Sequence, residues 1–271
     1  MAVEGAATAL SGHGHHLLVN DIRIHYLAHG TGDPTIILLP GITSPAITWA
    51  FVSERLAAFS RVFTLDMRGR GLSSGGLDLA YRLADYAEDT AGIIRALGLD
   101  RPIVLGHSMG ARIAIKLGAT APDVVGRLIL ADPPVSGPGR RPYPIPLDWY
   151  LDGIDQASRG EPIPAAGSLL ANWTDEQLAL REEWLPTCDK TAISESHRSL
   201  QDEDIHAMMP SIRSPTLLIC AGNGGTITEE EEREIVDLIA DCHAIRIPRV
   251  GHMIPWDDLG AFVDAVRGFV V

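Results

Sequence analysis

Ile103-Val-Leu-Gly-His-Ser-Met-Gly-Ala-Arg112 is the stretch whose reading decides the fold. Ile103, Val104 and Leu105 form an apolar run of strand type. From Ala111 to Ala121 the apolar residues Ile113, Ala114 and Leu117 recur at helical spacing. Between the two lies Gly106-His-Ser-Met-Gly110, which puts Ser108 at the apex of a strand–turn–helix unit. A serine in such a turn is lifted clear of the sheet. The glycines two residues to either side let neighbouring backbone come close. The helix start leaves the N–H of Met109 free to face an oxyanion.

Outward from this unit, apolar strand-like runs alternate with amphipathic segments. Thr35 to Leu39, Val62 to Leu65, Arg127 to Ala131, Pro215 to Ala221 and Ala244 to Ile247 read as strands. Thr48 to Ala58, Leu83 to Leu97, Glu229 to Ala240 and Asp258 to Phe269 read as helices. This alternation predicts an α/β fold, a mostly parallel sheet with helices on both faces. Ahead of it, Leu17 to Val19 and Ile22 to Ala28 flank Asn20-Asp21 as a β-hairpin. The proline-rich run from Pro133 to Pro146 breaks the pattern, and short helices over 149–158, 165–172, 175–184 and 192–201 follow. Residues 133–212 therefore read as a helical cap inserted into a core of 15–132 and 213–271. Residues 1–14 read as a flexible leader, and the cluster of His13, His15 and His16 at the junction reads as part of such a leader rather than as a metal-binding tail.

A serine hydroxyl needs a general base, and the base needs an orienting acid. Among ten histidines, His252 alone lies in a loop after the last strand and before the last helix. That makes it the base. His107 is read as packing or polar support beneath the turn. His197 and His206 fall in the cap, as surface or substrate contacts, and His25, His29 and His243 have no chemical company. Asp132, at the end of the strand after the elbow helix, is the acid expected on geometric grounds. Glu229 is the alternative and a cap of the Pro133-Pro134 turn the bland reading. The loop after Leu39 offers the N–H of Ile42 as the second oxyanion donor beside Met109. Asp66-Met-Arg-Gly-Arg-Gly-Leu-Ser-Ser74 has no lysine after its glycines and is not a phosphate loop; Asp66 and Arg68 are read as braces of that turn.

The formal charge of −13 argues against nucleic acid or an anionic membrane as partner. Cys188, Cys220 and Cys242 are far apart with no Cys-x-x-Cys pair and read as free thiols of a reducing compartment. No apolar run has transmembrane length and no secretory leader opens the chain, so a cytoplasmic location is expected.

With these residues in place the chain resembles the α/β-hydrolases and, within them, the N-formylmaleamate deformylases of aerobic nicotinate breakdown. The resemblance is carried by Pro-Gly-Ile-Thr-Ser-Pro-Ala-Ile-Thr-Trp at 40–49, Arg-Gly-Arg-Gly-Leu-Ser-Ser at 68–74 and Asp-Pro-Pro-Val-Ser-Gly-Pro-Gly-Arg at 132–140. Gly-His-Met-Ile-Pro-Trp-Asp-Asp at 251–258 extends it. The family's triad falls on Ser108, Asp132 and His252. The resemblance implies hydrolysis of an N-formyl amide to maleamate and formate through a formyl-serine, with no metal or organic cofactor. It also implies a small carboxylated substrate. Arg140, Arg141, Arg112 and Arg181 are candidate carboxylate clamps, Arg112 being read as structural in the elbow helix. Thr43, Trp49, Trp173, Trp184, Trp149 and Tyr150 are candidates for the pocket wall. The alternatives are an esterase or carbon–carbon bond hydrolase on the same scaffold, and a ligand-binding receptor that borrowed the fold.

Overall fold

The computed structural model describes residues 12–163 and 170–271. Eight strands form one sheet in the order β1-β2-β4-β3-β5-β6-β7-β8. They are β1 (His13–Val19), β2 (Ile22–His29), β3 (Thr35–Leu39), β4 (Arg61–Leu65), β5 (Ile103–His107), β6 (Arg127–Ala131), β7 (Thr216–Ala221) and β8 (Cys242–Ile247). Pairing is antiparallel from β1 through β2 to β4 and parallel from there on. The central strands are covered on both faces: Ile36 to Leu39, Val104, Leu105 and Leu128 to Ala131 have no exposed surface. This is why they carry continuous apolar runs rather than alternation. It is the α/β-hydrolase architecture, and the strand order reverses at β3, between β4 and β5. Such a switch point places loops from neighbouring strands around one crevice at the carboxyl ends.

The helices are α1 (Ala50–Leu56), α2 (Leu83–Ala96), α3 (Met109–Thr120), α4 (Leu147–Ser158), α5 (Asp175–Trp184), α6 (Lys190–Asp202), α7 (Glu229–Leu238), α8 (Ile254–Asp257) and α9 (Leu259–Val270). Among the described residues no helix is long and apolar enough to cross a membrane.

Several expectations need correction. His13, Gly14, His15 and His16 belong to β1, paired with β2 across an Asn20-Asp21 turn whose two residues both have positive φ, 51° and 60°. The ring of His15 stacks on Tyr26 at 5.4 Å. Residues 1–11 of the expected leader lie outside the described residues. The helix expected at Thr48–Ala58 is a 3-10 turn over Ala46–Trp49 that passes into α1. Of the helix expected over 165–172, residues 165–169 lie outside the described residues and Leu170 to Asn172 form a turn. His25 does have company: its Nδ1 lies 2.7 Å from the buried Asp66 carboxylate, which also accepts the N–H of Ala46 and Leu72.

The segment between β6 and β7 carries α4, α5 and α6 and is tied to the core by buried polar contacts. Arg112 of α3 donates to the carbonyls of Pro134, Ser136, Ser199 and Glu203 at 2.8, 2.7, 3.3 and 2.7 Å. Its burial pulls the guanidinium down to about 10. Arg112→Met would take the guanidinium donor from the carbonyls of Pro134, Ser136 and Glu203, while that of Ser199 would keep the Glu203 N–H. We expect the unfolding free energy in urea to fall by about 3 kcal/mol or more; a loss below about 1 kcal/mol would mean that water replaces the arginine.

Candidate active site

The elbow forms because β5 runs straight into α3 with a single residue between them. Ser108 has φ 56° and ψ −120°, a conformation that costs a non-glycine residue on the order of 1–3 kcal/mol. Its N–H donates to the Ala131 carbonyl at 2.9 Å, and its own carbonyl accepts from Ala111 at 3.0 Å. The flanking glycines are required by contact. A Cβ on Gly106 would lie 2.2 Å from the Gly110 carbonyl oxygen, and one on Gly110 would lie 1.9 Å from the Leu39 oxygen. Strand, turn and helix therefore close on each other only without those two side chains.

Three loops bring the polar groups together. His252 follows β8, and its Nε2 stands 3.0 Å from Ser108 Oγ. Its Nδ1 stands 2.6 Å from Asp132 Oδ2 at the end of β6. A carboxylate only accepts, so Nδ1 carries the proton and Nε2 is left to accept from the serine hydroxyl. Asp132 is fully buried, with φ 44°. Burial alone would raise its pKa. The hydrogen bond from His252 and its charge, with the N–H groups of Thr226 and Ala221, override that and hold the carboxyl below the usual carboxylate range. Thr226 donates its N–H to Asp132 Oδ2 at 2.7 Å, and its hydroxyl lies 2.8 Å from the Asp132 carbonyl oxygen and 3.1 Å from Oδ2. Gly225 permits this: a Cβ there would lie 2.7 Å from Asp132 Oδ1.

Beneath the triad, the Nε2–H of His107 donates to the His252 carbonyl at 2.8 Å, and the two rings lie 4.8 Å apart. Burial, then the neighbouring His252, lowers the His107 pKa to about 3, so its ring stays neutral.

The Gly41–Ser44 turn closes through the Ser44 N–H on the Gly41 carbonyl at 3.2 Å. Among the described residues the amides of Ile42 and Thr43 donate no hydrogen bond. Met109 opens α3, where its N–H has no acceptor within the helix. Arg70, buried under the turn, donates from Nε to the Ile42 carbonyl at 2.9 Å and from Nη2 to Ser196 at 2.8 Å.

Ser108, His252 and the 41–44 turn line one pocket of about 370 Å³, a volume that includes the solvent at its open side. Its other wall comes from the segment between β6 and β7: Trp149, Tyr150, Leu170 and Arg181. A serine hydroxyl hydrogen-bonded to a histidine in a mostly apolar pocket is an arrangement suited to acyl transfer.

Of the residues expected to bind substrate, Thr43 lines the cavity. Trp49 is fully buried behind it, with its ring against His107 at 5.2 Å and Trp256 at 4.9 Å. Trp173 stacks on Trp256 at 4.6 Å. Arg140, Arg141 and Trp184 are not in the wall. Arg140 pairs with Glu234 and Arg141 with Glu231, so surface carboxylates already occupy both guanidiniums. Glu229 sits exposed in the first turn of α7, away from His252. His197 and His206 are buried rather than on the surface, and neither lines the cavity. Thr226, Arg70 and Trp256 contact the site without being among the residues expected there. Arg70 and Trp256 lie in the stretches 68–74 and 251–258 that carry the family resemblance, while Thr226 has no such signal.

The model of the alpha/beta hydrolase family matches residues 36–265. The chain is 48% identical over 257 residues to an N-formylmaleamate deformylase of Pseudomonas putida, covering 95% of this chain and 96% of that protein. A crystal structure of an N-formylmaleamic acid deformylase from Pseudomonas putida S16 superposes with a TM-score of 0.87 at 42% identity, over 94% of this chain and all of that one. An esterase from Exiguobacterium antarcticum matches at 0.78 and 22% identity, over 95% of this chain and 99% of the other, and shows the fold alone. On this evidence the chain belongs to the alpha/beta hydrolase family.

Proposed function

We propose that this protein is a serine hydrolase that cleaves the N-formyl amide of N-formylmaleamate, giving maleamate and formate. The observation that carries the substrate is the 48% identity to the Pseudomonas putida deformylase along 95% of the chain. The roles of the residues rest on the geometry. Residues 15–132 and 213–271 are read as the catalytic core, and 133–212 as a cap that closes one side of the cavity.

The Ser108 hydroxyl gives its proton to His252 Nε2 while Oγ attacks the formyl carbon. The oxyanion is held by the N–H groups of Met109 and Ile42, each contributing on the order of 3 kcal/mol to the transition state. Arg70 keeps the Ile42 turn in place through the Ile42 carbonyl. Asp132 holds His252 in the tautomer that accepts at Nε2 and stabilises its cation. His252 then protonates the amide nitrogen, the C–N bond breaks, and maleamate leaves. The leaving nitrogen also carries an acyl group, so it departs more easily than a peptide amine. Water, deprotonated by His252, attacks the formyl-serine ester, and formate leaves with Ser108 restored.

A neutral His107 fits this scheme, since a second cation beside His252 would oppose its protonation. Neither the esterase or carbon–carbon bond alternative nor the receptor alternative has an observation in its favour.

The test is formate release from N-formylmaleamate by the purified protein. Ser108→Ala is expected to lower turnover by about 10⁴-fold or more. No formate from the wild-type protein would overturn the substrate. A pH series tests His107. It is neutral when folded but takes a proton in the unfolded chain below its ordinary 6.5, so stability falls from pH 6.5 down to about 3. From pH 7 to pH 5 this one group should cost about 2 kcal/mol. Urea midpoints for His107→Asn should be correspondingly less sensitive to pH over that range; a pH dependence equal to wild type would contradict the assignment.

A further inference from the structure

Three arginines are buried in this protein without a carboxylate partner among the described residues: Arg70, Arg112 and Arg181. Two have evident structural work. Arg70 is bonded through all three of its nitrogens to the 41–44 turn, the Arg68 carbonyl, Tyr86 and Ser196. Arg112 places both Nη groups on four backbone carbonyls; its Nε is unpaired, but it does not line the cavity.

Arg181 differs. It is 5% exposed, in the last turn of α5, and it lines the cavity that contains Ser108. Its bonds among the described residues are two, from Nη1 to the Thr43 carbonyl at 3.3 Å and from Nη2 to Thr43 Oγ1 at 3.2 Å. Both are long for charged donors. Among the described residues the Nε–H has no acceptor. Trp149 and Trp173 flank the guanidinium at 6.0 and 5.7 Å from their ring centres, which fixes its plane without neutralising it. A buried, under-bonded guanidinium is a costly feature unless something supplies the missing acceptors. A carboxylate does so with two parallel bonds.

We propose that Arg181, with Thr43 beside it, is the carboxylate-binding site of the cavity and selects substrates that carry an anionic group at the end away from the acyl carbon. The identity of the anion as a maleamate carboxylate rests on the deformylase reading; the anion site itself does not. Thr43 follows Ile42 in the chain, so the residue that touches the carboxylate site also adjoins the oxyanion turn. Occupancy of the first is thereby coupled in position to the second. Burial disfavours the charged form of Arg181 and lowers its pKa, as is expected where no anion is bound. The chain's overall charge of −13 repels anions at a distance, so attraction has to come from this local cation.

The test compares N-formylmaleamate with N-formylacetamide, a neutral imide without the carboxylate, and adds maleate as a dead-end ligand. The wild-type protein is expected to prefer the anionic imide and to be inhibited competitively by maleate. In Arg181→Met the ratio of kcat/KM for the anionic over the neutral imide should fall by at least about 100-fold, and maleate binding by calorimetry should be lost. Arg181→Lys should recover only part of both, because it keeps the charge and loses the fork. An unchanged ratio together with unchanged maleate binding would overturn the site. If the wild-type protein released formate from neither imide, the deformylase reading would fall, and the maleate titrations of wild type and Arg181→Met would still decide the anion site. Should Arg181→Met not fold, the wild-type preference decides: equal kcat/KM on both imides without maleate inhibition overturns the proposal.

Discussion

The backbone at residues 106–110 closes so tightly that two positions admit no Cβ. The Gly110 Cα faces the Leu39 carbonyl and the Gly106 Cα faces the Gly110 carbonyl, each at a separation only glycine allows. This close approach fixes how α3 leaves the sheet and forces Ser108 into a conformation with positive φ. The surrounding structure then holds the serine there through the Ala131 carbonyl and the first turn of α3. Because β3, β5 and β6 are neighbours in the sheet, the same contact aligns the ends of three strands. Leu39 leads into the 41–44 turn, His107 into Ser108, and Ala131 into Asp132. The site is the set of residues that immediately follow those strands, joined by His252 after β8.

Charge is arranged around this frame by burial, and burial acts differently on each group. His107 and Asp132 are both almost inaccessible to water. His107 faces a carbonyl and another imidazole, so desolvation wins and it stays neutral. Asp132 collects two N–H groups and the His252 ring, so hydrogen bonding wins and it stays ionised. Arg112 and Arg181 share near-complete burial and the absence of a carboxylate. The first is matched to four carbonyls of the segment between β6 and β7, while the second faces the cavity under-bonded among the described residues. The difference between a structural and a ligand-binding arginine here lies in the acceptors around it.

Much of this was legible in the sequence, for identifiable reasons. Continuous apolar runs mark doubly covered strands, and β3 and β6 have the bounds that their apolar runs predict. Thr174 and Gln177 form a capping box that marks the start of α5 at Asp175. The geometry brings Ser108, His252 and Asp132 together because each directly follows a strand end or its loop, and topology alone aligns those. Side chains placed by packing were not legible. Arg140 and Arg141, in a conspicuous arginine pair, are held by surface carboxylates of α7, and no local pattern distinguishes them from Arg181. Thr226 lies in a loop without periodicity and is recognised only by its distance from Asp132. The polar edge strand β1 lacks the apolar signal of a covered strand, because its outer side is exposed.

The account stands or falls on transfer of a formyl group to Ser108. Hydroxylamine competes with water for a formyl-enzyme, giving formohydroxamate beside formate. Measuring the ratio of these two products for N-formylmaleamate and for an activated formate ester tests the intermediate directly. A common formyl-serine predicts the same ratio from both donors, because the leaving group has departed before the partition. A ratio that changes with the donor, or formate production that hydroxylamine does not divert, would contradict it.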